Sequence, residues 1–177
     1  MKIVLKIAGA FSLFALTATA GVAQSTTTGN SATSTTTAST TIATPLTISN
    51  TAVLAFGKVY KPSSAGTATV TLSPLNVSSV TSASGAAFAT GGTTTAAAFT
   101  ANGEGTQAFT ISAPNFSMAG PTGATALVVT PILSTASAIN SLAAGALQFT
   151  VGGSFPLTSA AVTGAYSGPL VVTVTYN

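Results

Sequence analysis

Runs in which threonine alternates with an aliphatic or aromatic residue recur from residue 42 to the last residue, and this period of two constrains the fold more than any other feature. Alternation sends every second side chain to one face of an extended backbone, which makes a half-buried strand and a poor helix. Ala68, Val70 and Leu72 alternate with Thr67, Thr69 and Thr71, and Phe109 and Ile111 flank Thr110. Leu147, Phe149 and Val151 alternate with Gln148 and Thr150, while Leu170, Val172, Val174 and Tyr176 oppose Val171, Thr173 and Thr175 in the final run. In the first run, Ile42, Leu46 and Ile48 fall on one face around Thr44. Gly, Pro, Asn and Ser separate the runs. About eight short strands with turn signals between them predict an all-β fold, an antiparallel β-sandwich of immunoglobulin-like or Greek-key type.

Two local expectations accompany that pattern. Asn102-Gly103 and Gly105, between runs at Phe99 and Phe109, predict a hairpin, because Asn and Gly tolerate the positive φ of tight turns. Ser134 to Ala146 carries the one helix-like spacing, with Ala136, Ala138, Ile139, Leu142 and Ala143 as its apolar residues and Gly145 as its stop. Gly66-Thr67 leading to Pro74 resembles Gly105-Thr106 leading to Pro114. Two copies do not make a repeat array, so this likeness predicts two strands in similar surroundings.

The N-terminus has the three-part form of a secretory signal peptide: Lys2 and Lys6, an apolar stretch from Ile7 to Leu16, then small residues at Ala18, Ala20 and Ala23. Residues 1–23 are read as that signal, cleaved after Ala23, with Ala20 as the alternative. The stretch is too short to span a bilayer as a helix, which takes roughly 20 apolar residues, so no transmembrane anchor is expected. Of the 18 residues from Gln24 to Thr41, 13 are Ser or Thr. Such a segment cannot bury enough apolar surface to offset ordering, and it reads as a flexible leader before a domain at 42–177.

Charge is nearly absent. The chain has four Lys, one acidic side chain, no Arg and no His, and beyond the signal only Lys58, Lys61 and Glu104 remain. A pI near 9.6 set by so few groups marks no basic patch, and phosphate-backbone binding needs several cations acting together, so no nucleic acid is expected. With no Cys, packing alone must hold the fold. From Gln24 onward there are 12 Val, 5 Ile, 10 Leu and 7 Phe. Burying each contributes roughly 1.5 to 3 kcal/mol before entropy is subtracted, enough for one modest core.

This inventory leaves almost no chemistry. Without His or Asp, no serine has the usual triad partners, and Glu104 alone cannot form the carboxylate pair of glycoside hydrolysis. A Ser–Lys arrangement would have to recruit Lys58 or Lys61, beside Pro62 and the loop-like Ser63-Ser64-Ala65-Gly66. Gly103, Gly105 and Ala108 match a dinucleotide fingerprint in spacing, but a β-run follows where a helix is required, and no acidic residue lies downstream. One carboxylate makes a poor calcium cage, and zinc has no imidazole or thiolate. No catalytic residue, cofactor or metal is therefore expected. Asn76-Val77-Ser78 and Asn115-Phe116-Ser117 are glycosylation sequons by pattern alone.

Several segments are distinctive: Thr44-Pro45-Leu46-Thr47-Ile48, Leu54-Ala55-Phe56-Gly57, Phe99 to Pro114, Val151-Gly152-Gly153, Gly164-Ala165-Tyr166-Ser167-Gly168 and Val172 to Asn177. They resemble the domain-of-unknown-function 4402 family of secreted bacterial proteins, from Ile42 onward except Thr81 to Ala96. The resemblance implies a secreted β-sandwich and attaches no activity to it. The C-terminus is also similar, more weakly, to chaperone-usher pilin subunits, in the penultimate Tyr176, in Gly164 fourteenth from the end, and in the alternating apolar residues between. In such pilins a neighbour's N-terminal extension completes the sandwich by β-strand addition. That likeness implies an assembly strand of Gly164, Leu170, Val172, Val174 and Tyr176, the leader as donor, and a periplasmic chaperone as partner. The leader departs from the pilin pattern in offering Ala32, Ala38 and Ile42 where larger apolar residues stand, and the cysteine pair of many pilins is missing.

A surface of Thr, Ser, Asn and Gly hydrates without repelling its own copies, and edges without Lys invite strand pairing. The expectation is an exported structural subunit of the bacterial cell surface, fimbria-like, associating with itself or related subunits in the periplasm, at the surface or outside the cell. The alternative is a monomeric secreted or periplasmic binding module of adhesin type. Adhesive sites cluster aromatic residues, and Tyr60, Tyr166 and Tyr176 lie too far apart in sequence to show a cluster.

Overall fold

The structure, a computed structural model, describes residues 29, 31–81, 87–88, 92–105, 107–135, 137–139, 142 and 145–177. The chain divides into two units, Met1–Thr41 and Ile42–Asn177. In the first, Gly29 and residues 31–41 are exposed and lie outside any strand.

The second unit is all-β, with no α-helix among the described residues. Its strands are β1 (Thr47–Ala52), β2 (Val59–Tyr60), β3 (Thr67–Leu72), β4 (Ser78–Thr81), β5 (Ala87–Phe88), β6 (Ala97–Asn102), β7 (Phe109–Ser112), β8 (Phe116–Met118), β9 (Leu127–Leu133), β10 (Ala138–Ile139), β11 (Ala146–Thr158) and β12 (Thr173–Tyr176). Twelve strands among the described residues exceed the eight or so expected because four, β2, β5, β8 and β10, have two or three residues, too short to leave a periodic signal. All pairings are antiparallel.

A large sheet in the order β1-β6-β11-β3-β4, with β9 on β11 and β8 on β9, faces a smaller sheet in the order β10-β7-β12. The 13-residue β11 organises the large sheet. Val151 pairs with both Ala97 and Leu133, and Gly153 with both Leu72 and Pro131. Thus β9 runs along one edge of β11, while β6 and then β3 follow each other along the other. Odd-numbered side chains of β11 face inward throughout: Phe149, Val151, Phe155 and Leu157 are buried, with Gln148, Pro156 and Thr158 outside or partly so.

That one face carries two clusters. In the first, Phe149 and Val151 pack with Ala97 and Ala101 of β6 and with Phe109 and Ile111 of β7, and Val174 and Tyr176 of β12 lean against them. Contacts between side chains of the two sheets make this a β-sandwich. Small Ala97 and Ala101 on one layer and large Phe109 on the other, all buried in this cluster, let the layers approach. Phe99 stacks on its register partner Phe149 with centroids 5.5 Å apart. In the second cluster, Phe155 and Leu157 pack with Val70, Leu72, Val129 and Phe56, and Phe56 meets Phe155 edge-on at 5.0 Å.

Two local expectations are overturned. The segment from Phe99 to Phe109 is not a hairpin: β6 already has β1 on one edge and β11 on the other, so β7 cannot pair with it and joins the opposite sheet. Gly103 to Ala108 is therefore a corner between layers, closed by Gly103 N donating to Gly145 O at 3.0 Å. The described residues of Ser134 to Ala146 form no α-helix either. Ala138–Ile139 forms β10 on β7, and Ile111 N donates to Ser137 O at 2.6 Å, so the edge of β7 claims the backbone that a helix would use internally. The two look-alike stretches become β3 and β7, each an interior strand with a neighbour on both sides.

Candidate functional site

The last strand is short, and its alternation decides which side it buries. Leu170, Val172, Val174 and Tyr176 are half-buried against the first cluster, while Val171, Thr173 and Thr175 face solvent. Only Thr173–Tyr176 is paired, and only with β7, so β12 is an edge of the small sheet. Tyr176 ends the strand with a polar tie. Its hydroxyl accepts from Glu104 N at 2.6 Å and donates to Thr44 O at 3.1 Å, and Thr44 N donates to Glu104 Oε2 at 3.4 Å. A Cβ on Gly103 would strike the Tyr176 hydroxyl and stand 2.9 Å from Leu46 Cδ1. The corner glycine thus admits the ring that joins the first residues of the domain to its last strand.

Across this flank, β1 is an edge of the large sheet and pairs only with β6. Its residues Thr47 to Thr51 are exposed. The expected inward face of Ile42, Leu46 and Ile48 fails here: Ile42 precedes the strand and is 92% exposed, Ile48 is 36% exposed, and only Leu46 turns toward the core. An edge strand with no layer over it has no apolar face to fill. A bulge between Asn50 and Ala52 interrupts the register, and Asn50 Nδ2 donates to Ala52 O at 2.8 Å and Ala98 O at 3.1 Å. Neither β1 nor β12 carries a charge or a proline, the usual means of blunting an edge.

Over the second cluster the sandwich is incomplete. The small sheet covers the first half of β11 but not the second, and a groove of about 1170 Å³ opens there. Its floor includes Phe99, Phe155, Leu157, Phe116, Met118 and Leu127. Val53 to Lys61 forms one wall and Ala161 to Gly168 another. Lys58, Tyr60, Lys61 and Tyr166 all border this space, so two of the three tyrosines, far apart in sequence, line one groove. Tyr176 alone lies elsewhere. Lys61 Nζ donates to Ala161 O at 2.9 Å, and Lys58 Nζ stands 5.8 Å from the Tyr60 ring centroid.

The second wall is held by close backbone approach. The Gly164-to-Gly168 segment runs antiparallel beside the end of β8: Ala119, just after that strand, and Ser167 exchange backbone hydrogen bonds at 2.7 and 2.9 Å. A Cβ on Gly168 would strike Ser117 O, and the Tyr166 ring occupies the space a side chain at Gly120 would need. Gly164 has φ +151°, packs on Pro121 and is exposed. Gly164 thus lies on the groove wall, ahead of the last strand, while Leu170, Val172, Val174 and Tyr176, grouped with it in the expected assembly strand, share one face.

A family described as a domain of unknown function, DUF4402, matches residues 46–176. The chain belongs to the DUF4402 family. Comparisons with curated proteins and with solved structures give no match. The DUF4402 match spans β1 to the last residue of β12, so the sandwich strands and the groove lie inside the family's domain, as do Glu104 and Tyr176 of the tie, while Thr44 stands just before it. The expected signal cleavage at Ala23 or Ala20 lies outside the described residues. Among the described residues no group of three or more His, Cys, Asp or Glu could hold a metal ion, and no helix is long and apolar enough to cross a membrane. Sequence reasoning missed the groove, because its walls come from loops that carry no periodic signal.

Proposed function

We propose that this DUF4402 protein is an exported structural subunit of the bacterial cell surface that assembles, in fimbria-like fashion, by β-strand addition. The observation that carries the reading is the groove of about 1170 Å³ left between layers that are otherwise packed. An extended segment with small side chains would pack along the half-buried Phe116, Met118 and Leu127 that line this space. The leader supplies a segment of that kind: residues 31–41 are exposed, outside any strand, and consist of Ser, Thr and Ala. The edges of β1 and β12, without charge or proline, add further backbone for pairing.

Light scattering and electron microscopy of the purified chain test this. The expected result is a concentration-dependent polymer that disappears when residues 24–41 are deleted. A chain that stays monomeric across the micromolar range, with and without those residues, sinks the reading. A second reading, a monomeric binding module, draws support from Tyr60 and Tyr166 meeting at one groove with Phe99 and Phe116. It predicts the monomer, together with retention on a surface or glycan array that is lost in Tyr60→Ala.

A further inference from the structure

Residues 42–177 contain three charged side chains, Lys58, Lys61 and Glu104. The two cations stand together on the groove wall, both exposed. Glu104 lies where the domain begins, half-buried, with Oε2 accepting from Thr44 N at 3.4 Å. Thr44 precedes β1 and Lys58 follows it, so the six residues of that strand, about 20 Å of extended chain at roughly 3.3 Å per residue, separate the opposite charges. No ion pair joins them among the described residues. Glu104 is the one acidic side chain in the chain. A side-chain carboxylate that pairs with these lysines, if it is not the same copy's Glu104, belongs to another molecule.

We propose that Glu104 of one copy meets Lys58 and Lys61 of the next, gathering the three charges of the domain at the junction where one copy's leader enters its neighbour's groove. The proposal rests on the strand-addition reading and adds a partner, a second copy of this chain, and a direction. The leader joins the domain at Ile42, two residues before Thr44, and Thr44 is pinned to Glu104 and to Tyr176. A leader seated in a neighbouring groove thus draws Glu104 toward that groove's lysine-bearing wall. Lys61 Nζ uses one of its donors on Ala161 O, and an ammonium has three, so it can still receive a carboxylate oxygen. A surface otherwise almost without charge offers no competing pair. Because acid and base sit at different ends of β1, two copies joined this way leave one donor end and one acceptor end open, a head-to-tail contact that propagates. Opposite charges at those ends favour head-to-tail over head-to-head encounter.

The test uses the full exported chain and follows polymer length and assembly rate by light scattering and sedimentation at 20 mM and 500 mM salt. Wild type should assemble more slowly at high salt, where the Debye length falls to a few ångströms. Glu104→Lys, and separately Lys58→Glu with Lys61→Glu, should each slow assembly by about tenfold at low salt, as expected for reversing a steering contact. Mixing the two variants should restore mixed polymers, because each supplies the charge that the other now lacks. Glu104→Gln keeps an acceptor for Thr44 N while removing the charge, and it should lose the salt dependence with an unchanged circular dichroism spectrum. Polymers that form equally fast in every variant overturn the charge contact and leave strand addition standing. Charge-swapped variants that do not recover on mixing overturn the contact as well. Absence of any polymer in wild type overturns both.

Discussion

Along β11 the inward side chains Phe149 and Val151 lie beneath β7 and β12, whereas Phe155 and Leu157, on the same face of the same strand, line an open groove. Both stretches have the same alternation and the same kinds of side chain. They differ in what the opposite layer brings. The small sheet has three strands and the large one seven, so the second layer runs out before the first does. At the covered end the terminal residues close the sandwich through Tyr176, Glu104 and Thr44. At the other end loops stand on either side of a space wide enough for further chain. Burial within one sheet is thus separable from closure between two.

Substitutions on either side of that divide should give graded effects. The largest is expected at the covered end: Phe109→Ala removes a fully buried ring between two layers that cannot collapse onto the cavity, a loss of about 4 to 5 kcal/mol in denaturant unfolding. Phe155→Ala, at the open end, should cost roughly 3 kcal/mol, because neighbours along the groove can close over the vacancy. Equal losses at the two positions would break the distinction between covered and open halves. Gly103→Ala places a methyl against the Tyr176 hydroxyl and Leu46, and about 1 to 3 kcal/mol of overpacking should appear as a lowered midpoint. Tyr176→Phe keeps the ring and deletes two hydrogen bonds, so about 1 kcal/mol is expected, with faster amide exchange at Glu104 as its signature. If that exchange does not change, the tie does not hold the corner.

Much of the fold was legible in the residues. Ala68, Val70 and Leu72, Phe109 and Ile111, and the odd positions of β11 are buried as alternation requires, because any strand with one dry face must repeat every second residue. The final run buries Leu170, Val172, Val174 and Tyr176 on one face for the same reason. Ile42 and Ile48 show the limit. Their spacing is equally regular, yet Ile42 precedes β1 and Ile48 lies on an edge strand whose residues Thr47 to Thr51 are exposed, and periodicity cannot say whether a second layer is present. Asn102-Gly103 shows another limit: turn chemistry identifies a change of direction but not whether the next strand returns to its neighbour or crosses to the other sheet. For the candidate site, sequence pointed to the C-terminal strand, and it left Lys58, Tyr60, Lys61, Gly164 and Tyr166 unconnected as the border of one groove.

The sequence alone determined the all-β class, the faces of the longer strands, and the poverty of charge that leaves almost no acid–base chemistry. These follow from local geometry and from counting, neither of which depends on what lies across the core. The tertiary structure decided which strands share a sheet, where the second layer stops, and that two lysines meet at a groove while the single acid lies beyond the other end of β1. Such features arise from contacts between residues far apart in the chain, set by which edges and faces are already occupied, and a period of two carries no record of them.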